Sequence, residues 1–352
     1  MGILTRRLLM LAAVLALPLS AQQVEPSPGD TIRVEVEVVN VPVTVSDKEG
    51  RFVIDLKKED FRVFEDGEEV EIRYFTSSME EEAKPPLHAG FLIDLSNTAR
   101  LYYKNYQESI GDLAFLLVPE TGKNRGFLMG YHTEVDMLVD FTDDPYPIAK
   151  KMSDLKHGGG SAMLDAIYEA CANKLESAPY LGIQEPRKVI VVVGDGHDNA
   201  SKHSIEEVID VAQRNQVTIY AVSTVAWGRH EAEEANLHKM AEATGGLVSN
   251  PLQNIHKDIA GYLSKPQDAG NYARQVGTGG YAGAQLEALY DAILAVAGNV
   301  RSQYLIGYTP RSPLSVAKYR RVRVQVNFGA SAEIDVHYRN GYFPPKQIGS
   351  SQ

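Results

Sequence analysis

The sequence predicts an α/β fold, in which a doubly wound, mostly parallel, Rossmann-like sheet is inserted between two antiparallel β segments that form a small β domain. Between residues 86 and 300, short apolar runs alternate with helix-like stretches, which is typical of a parallel sheet covered on both faces. Residues 31–80 and 302–345 instead alternate apolar and polar positions with a period of two. Neither flanking segment is long enough to bury a core alone, so we expect the two to pair.

Residues 1–21 are predicted to be a secretory signal peptide. Two arginines precede an apolar stretch from Leu8 to Leu19, and cleavage is expected after Ala21. This stretch is shorter than the roughly 20 residues of a membrane span, so no span is expected after cleavage. The pattern predicts a secreted or periplasmic protein, exported by the general or the twin-arginine route.

Composition excludes several classes of function. The 352 residues contain 46 Asp and Glu against 35 Lys and Arg, giving a net charge of −11. Nucleic acid is therefore not an expected partner, because binding phosphates requires a basic face. The single cysteine, Cys171, excludes a disulfide framework and a cysteine-based zinc site.

The flanking segments show the patterns of short strands. Alternating valines at 32–38 and again at 39–45 are out of phase, which predicts a bulge or bend between the two runs. Residues 61–64 and 70–74 are predicted to pair around Asp66-Gly67, a favoured hairpin turn. Near the other end, residues 322–328 and 334–338 alternate in the same way, and Asn340-Gly341 predicts a turn.

The central segment alternates between strands and helices. Strands are predicted at 90–93, 126–129, 135–141, 189–193 and 218–222. Helices are predicted at 102–117, 147–155, 163–175, 204–215, 234–243, 252–263 and 285–300, with an inserted surface loop at 264–277. The run at 135–141 follows its predecessor too closely for a crossover helix, so it is predicted to be an antiparallel edge strand. Ser204 and Glu207 form a capping box at a helix start.

Oxygen-bearing side chains gather where three of these strands or loops end. Asp94, Ser96 and Thr98 follow the first strand, Ser161 closes the glycine-rich loop 157–161, and Asp195 follows the strand at 189–193. Ligands of doubly wound sheets collect outside the carboxyl ends of the strands. Oxygen donors suit a hard divalent cation such as Mg²⁺.

These residues carry a resemblance to a known family. The pattern Asp-x-Ser-x-Thr after an apolar strand, with a hydroxyl loop and a later Asp-Gly, resembles the metal-ion-dependent adhesion site of von Willebrand factor type A domains. The flanking motifs at Val41–Val45, Glu59–Gly67 and Arg301–Pro310 resemble those of bacterial secreted VWFA-related proteins. The resemblance extends along nearly the whole mature chain.

The resemblance implies a non-enzymatic, adhesion- or scaffold-type module that captures an Asp or Glu of a protein partner through a bound ion. It places Asp94, Ser96, Thr98, Ser161 and Asp195 at that ion, which would be Mg²⁺ or else Mn²⁺ or Ca²⁺. Two positions depart from the family pattern, because Thr98 stands where serine is usual and Ser161 where threonine is usual. Both changes keep a hydroxyl oxygen.

Two other interpretations remain open from the sequence. The chain is also compatible with a metal-free structural domain, in which Asp94 and Asp195 only cap a helix or close a turn. The segments around Asp94 and Asp195 further resemble motifs of haloacid dehalogenase-type phosphatases. Those enzymes place a second Asp where this chain has Ser96, and a serine hydroxyl does no acid–base work near neutral pH.

Overall fold

The computed structural model describes residues 38–80, 82–97, 99, 110–152, 154–176, 185–225, 231–251, 279–313, 315–316, 318–328 and 333–344. The predicted signal peptide, the alternation at 32–37, the helix at 252–263 and the loop at 264–277 lie outside these residues. In the described part of the chain, no helix combines the length and apolarity needed to cross a membrane.

A six-stranded sheet forms the centre of the molecule. Its strands are β5 (Leu87–Asp94), β6 (Arg125–Tyr131), β7 (Val135–Thr142), β8 (Arg187–Gly194), β9 (Val217–Ser223) and β10 (Val248–Ser249). They lie in the order β10-β9-β8-β5-β6-β7, and all neighbours are parallel except β6 and β7. The predicted antiparallel edge strand is confirmed. The chain builds outward from β5 to β6 and later returns to β8 on the other side, so the strand order reverses between β5 and β8.

Helices cover this sheet on both faces. They are α1 (residues 110–117), α2 (Pro145–Met152), α3 (Met163–Glu169), α4 (Ile205–Arg214), α5 (Glu231–Thr244) and α6 (Gly279–Arg301). The capping box of α4 is confirmed, since Ser204 and Glu207 exchange side-chain and backbone hydrogen bonds. The helix predicted at 163–175 is confirmed in extent, and it continues past Glu169 as a π-helix, Ala170–Leu175. Asn215 fastens this segment to the end of α4, because its Nδ2 donates to the Cys171 carbonyl oxygen at 2.9 Å.

Alternation along the buried strands builds two separate cores. Phe91 and Ile93 of β5 pack with residues of α1, α2 and α6, whereas Leu92 packs on the opposite face with residues of α3, α4 and α5. All eight residues of β5 are buried. A parallel strand covered on both faces reads as a continuous apolar run, which is why the sequence identified it.

Strands from the two flanking segments pair with each other in two antiparallel sheets. These strands are β1 (Val39–Asp47), β2 (Phe61–Glu65), β3 (Glu68–Val70), β4 (Ile72–Thr76), β11 (Tyr304–Tyr308), β12 (Arg320–Val326), β13 (Ile334–Tyr338) and β14 (Gly341–Tyr342). The sheet orders are β13-β1-β11-β4 and β14-β12-β2-β3. The inward residues of both sheets form one apolar cluster that includes Val41, Val43, Tyr304 and Val322.

The strand predicted at 70–74 is corrected by the structure. It is interrupted at Glu71, so that β3 ends at Val70 and β4 begins at Ile72. The two pieces join different sheets, β3 pairing with β2 and β4 with β11. Val70 and Ile72 are both buried in the shared core. The chain thus passes from one sheet to the other while keeping its inward side chains on a period of two.

Candidate metal site

Two buried carboxylates lie side by side where the strand order reverses. Asp94 is the last residue of β5 and is 3% exposed, and Asp195, which follows β8, is 5% exposed. Gly194 directly precedes Asp195 in the chain and lies beside Asp94 in the sheet. A Cβ atom at Gly194 would lie 3.2 Å from the Cβ of Asp94 and 3.3 Å from its Oδ2. Glycine therefore allows the Asp94 carboxylate to lie directly against the backbone that leads into Asp195.

The third predicted element, the loop that ends at Ser161, is fastened to the other two loops by hydrogen bonds. The backbone N–H of Ser161 donates to Oδ1 of Asn199 at 2.9 Å, and its carbonyl accepts from the backbone of Asn199 and Ala200 at 3.0 Å. On the other side, the N–H of Gly158 donates to the carbonyl of Leu95 at 2.8 Å. Ser161 is fully buried. The three loops therefore form one bonded cluster around the carboxylates.

A fourth loop, residues 131–133, belongs to the same cluster and was missed by sequence reasoning. The Tyr131 carbonyl accepts from the N–H of Leu95 at 2.8 Å, and the Thr133 hydroxyl accepts from the N–H of Gly160 at 2.9 Å. The buried Tyr131 ring places its hydroxyl next to Gly194. These residues lie at the carboxyl end of β6, whose last residue is Tyr131, so the rule that identified the other loops applies to them as well.

The Asp94 carboxylate is only half satisfied. Its Oδ1 accepts from the N–H of Ser96 at 2.8 Å, whereas its buried Oδ2 has no hydrogen-bond partner in the part of the chain that the structure describes. Burial, with smaller contributions from the charges of Asp195 and Asp198, raises the pKa of Asp94 to about 7 against hydrogen bonds from Ser96 that lower it. The Ser161 Oγ is also buried and has no hydrogen-bond partner within the described ranges.

The neighbouring acidic groups have structural partners. Oδ1 of Asp195 accepts from the N–H of His197 at 3.0 Å. Oδ2 of Asp198 accepts from the Ser201 hydroxyl at 2.6 Å and from the N–H of Leu164 at 2.8 Å. Asp198 therefore fixes the loop after β8 against the start of α3, and its carboxylate already accepts hydrogen bonds from these two partners.

The residues at this edge fit a hard cation. Within the described ranges, no group of three or more His, Cys, Asp and Glu side chains is arranged to hold a metal. A site here would instead combine the carboxylates of Asp94 and Asp195 with the hydroxyls of Ser96 and Ser161. These are all oxygen donors, and two of their buried atoms lack any partner. Thr98, the fifth predicted ligand, lies outside the described residues, so its role stays a prediction.

Comparison with known proteins identifies the central domain. Residues 91–254 match the family described as "von Willebrand factor type A domain". A search of the curated proteins found no match. The matched range contains Asp94, Ser161 and Asp195. Domains of this family are generally non-enzymatic modules of protein interaction.

Solved structures similar to the chain come from several sources. The conserved hypothetical protein BatB from Bacteroides thetaiotaomicron is 14% identical over 51% of this chain and 98% of its own, with a TM-score of 0.36. The PilB minor pilin from Streptococcus sanguinis is 11% identical over 63% of this chain and 62% of its own, with a TM-score of 0.41. Proximal thread matrix protein 1 from the mussel byssus, in a structure with a zinc-occupied MIDAS motif, is 16% identical over 47% of this chain and 41% of its own, with a TM-score of 0.38. From the family match, we conclude that residues 91–254 of this chain are a von Willebrand factor type A domain.

Proposed function

We propose that this domain binds a divalent cation at the carboxyl end of its sheet and uses the ion to hold an acidic side chain of a protein partner. Mg²⁺ is the proposed ion, with Mn²⁺ or Ca²⁺ as alternatives. The observation that carries the proposal is a pair of buried oxygen atoms, Oδ2 of Asp94 and Oγ of Ser161, that have no hydrogen-bond partner among the residues the structure describes. An unsatisfied buried polar atom is costly, and a cation between the loops would satisfy both atoms.

The donor set supports capture of an anion by the bound ion. Asp94 and Asp195 supply at most two negative charges, and Ser96, Thr98 and Ser161 supply only neutral oxygens. A divalent ion held by so few anions would keep a coordination position for an outside ligand. A partner's Asp or Glu can fill that position, and a charge-assisted contact of this kind discriminates well between partners.

Binding is favoured over catalysis by the surroundings of Ser161. A serine nucleophile needs a hydrogen-bonded base to activate it, but Oγ of Ser161 has no hydrogen-bond partner. Asp198, which is close by, already accepts from Ser201 and Leu164. Because no base contacts the Ser161 hydroxyl among the described residues, these contacts favour a binding module over an enzyme with a serine nucleophile.

Calorimetry tests the metal site directly. We expect the wild-type protein to bind Mg²⁺ or Mn²⁺, Asp94→Ala to lose this binding, and Thr98→Ala to weaken it less because only a neutral oxygen is removed. Asp154→Ala, which removes an exposed carboxylate elsewhere, is the matched control. Absence of binding to the wild type at millimolar metal would reject the proposal in favour of a metal-free structural domain.

Partner capture requires a second measurement. Complexes recovered with the wild-type protein in Mg²⁺ should be lost in EDTA and also lost with Asp94→Ala in Mg²⁺. A complex that survives both changes does not depend on the ion, which would contradict the proposed mode of binding.

We also propose that the protein acts outside the cytoplasm. The support is the sequence pattern of residues 1–21, with two arginines followed by a short apolar stretch. Mass spectrometry of the mature protein should find Gln22 at the amino terminus. Recovery of the intact chain from the cytoplasm would contradict export.

A further inference from the structure

The carboxyl-terminal β strands concentrate positive charge in an otherwise acidic protein. Residues 301–345 contain seven Lys and Arg against two Asp and Glu, in a chain whose net charge is −11. Three of these cations, Lys318, Arg321 and Arg323, are exposed and line one cleft of about 600 Å³ on the outer face of β12 and β2. This cleft, which we call the basic cleft, also contains Phe64 and Tyr319.

The guanidinium groups of the two arginines in the basic cleft form no ion pair within the described residues, although the Asp66 carboxylate accepts a hydrogen bond from the backbone N–H of Arg321 at 3.0 Å. Among the described residues, no Asp or Glu oxygen lies within 4 Å of the guanidinium of Arg321 or Arg323. By contrast, the nearby Arg62 and Arg311 are paired with Glu69 and Glu68.

Arg323 lies over an aromatic ring of the neighbouring strand. Its guanidinium carbon lies 4.2 Å from the centre of the Phe64 ring. The guanidinium carbon of Arg62, two residues before Phe64 on β2, lies 5.5 Å from the same centre. Arg323 and Phe64 face each other across the strand pair β12 and β2. Stacking occupies the flat face of a guanidinium and leaves its N–H edge available for a planar anion such as a carboxylate.

The spacing of the arginines indicates the form of the ligand. Arg321 and Arg323 both point outward because Val322 and Val324, which alternate with them, are buried. Side chains two positions apart on a strand are separated by roughly 6.8 Å. An extended peptide with acidic residues at alternate positions repeats its carboxylates at the same interval, so it can pair with both guanidinium groups at once.

We propose that the basic cleft binds an acidic polypeptide segment in extended conformation, independently of any metal. Negative charges at the border of the basic cleft limit the area that an anionic ligand can contact to the length of one short segment. Asp66 lies in the cleft, and Glu69 pairs with Phe64 in the strand register, so carboxylates border the cations. A membrane surface or a nucleic acid spreads its negative charge over a wider area and would overlap these carboxylates, whereas a short peptide segment can contact the two arginines alone.

Fluorescence anisotropy with the full-length protein in EDTA tests this proposal, because EDTA removes any contribution from a metal site. The probe is a short dye-labelled peptide in which Glu and Thr alternate, and the control peptide alternates Gln and Thr. Only the acidic peptide should bind. Arg321→Gln and Arg323→Gln should each weaken binding about tenfold, and Phe64→Leu about threefold through the loss of stacking.

Arg73→Gln is the control variant, since it removes an exposed arginine on β4 in the other sheet. It should bind the acidic peptide like the wild type, and thermal melting should show that all variants fold. Arg321→Gln alone decides the test if Arg323→Gln or Phe64→Leu fails to fold. Equal binding by wild type and Arg321→Gln, binding of the Gln-Thr peptide, or binding only to vesicles of anionic phospholipid would each overturn the proposal.

Discussion

Two buried carboxylates of this protein, those of Glu65 and Asp94, differ in whether hydrogen bonds and an opposite charge compensate for their burial. Glu65, in the core between the antiparallel sheets, is 4% exposed and Asp94 is 3% exposed. Oε2 of Glu65 accepts from the hydroxyls of Tyr308 and Tyr342, both at 2.9 Å, and its Oε1 lies 3.8 Å from the guanidinium of Arg320. Among the described residues, Asp94 has a buried oxygen without a hydrogen-bond partner and no cation paired with it.

The difference separates a structural charge from a site. A buried carboxylate stabilises a fold only where donors and an opposite charge compensate for the loss of water. Glu65 meets that requirement and ties β2 to strands from the far end of the chain. Asp94 does not meet it, and the missing compensation is what a bound cation would supply. Equal burial therefore has opposite meanings at the two positions.

Deletion of residues 302–352 should have the largest effect on this comparison. It removes the strands that flank β1 on both sides, and with them every donor to Glu65 named above. Hydrogen exchange should then show loss of amide protection at Val39–Val45, while β5 and β8 stay protected. Protection of Val39–Val45 at the level of the full chain would mean that the two flanking segments do not form one domain.

Glu65→Ala should lower the free energy of unfolding by about 3–5 kcal/mol, because it leaves the buried Arg320 charge without its carboxylate. Glu69→Ala is the control, since Glu69 forms an exposed pair with Arg62 and should cost under about 1 kcal/mol. Urea unfolding of both variants measures the difference. Similar losses for the two would show that the Glu65 cluster contributes no special stability.

Gly194→Ala should cost about 1–3 kcal/mol through overpacking. The new methyl group would overlap the hydroxyl of Tyr131 and lie 3.2 Å from the Cβ of Asp94. Gly158→Ala in the neighbouring loop is matched to it, because nothing lies within 4 Å of a Cβ there. Thermal melting should show a clear drop for the first variant and almost none for the second. Equal melting temperatures would mean that Asp94 and Tyr131 move apart easily.

Asp94→Asn should have the smallest effect and the opposite sign. In metal-free protein it removes an uncompensated buried charge, so the free energy of unfolding should rise by roughly 1 kcal/mol. Wild-type protein should in addition be stabilised by millimolar Mg²⁺, and the variant should not. A loss of stability in EDTA as large as that of Glu65→Ala would place Asp94 in the same structural class as Glu65.

The central domain could be predicted in some detail from the sequence. The middle of a strand buried on both faces is apolar, so residues 90–93 of β5 and 189–193 of β8 stand out as continuous runs. Polar residues directly after such runs, Asp94 and Asp195, mark the carboxyl edge of a parallel sheet. The break at Glu71 could not be predicted in this way, because Val70 and Ile72 keep a period of two although they enter different sheets.

The sequence by itself determined that the central sheet is doubly wound and mostly parallel, that a capped helix begins at Ser204, and at which edge the oxygen donors gather. These features depend on local periodicity and on residues close in the chain. Only the tertiary structure decided which buried charges are satisfied. Glu65 obtains its partners from residues 308, 320 and 342, and Asp94 meets Gly194 and Tyr131 across the sheet. Hydrogen-bond compensation inside a core is a property of contacts between distant segments, and no local pattern of residues records it.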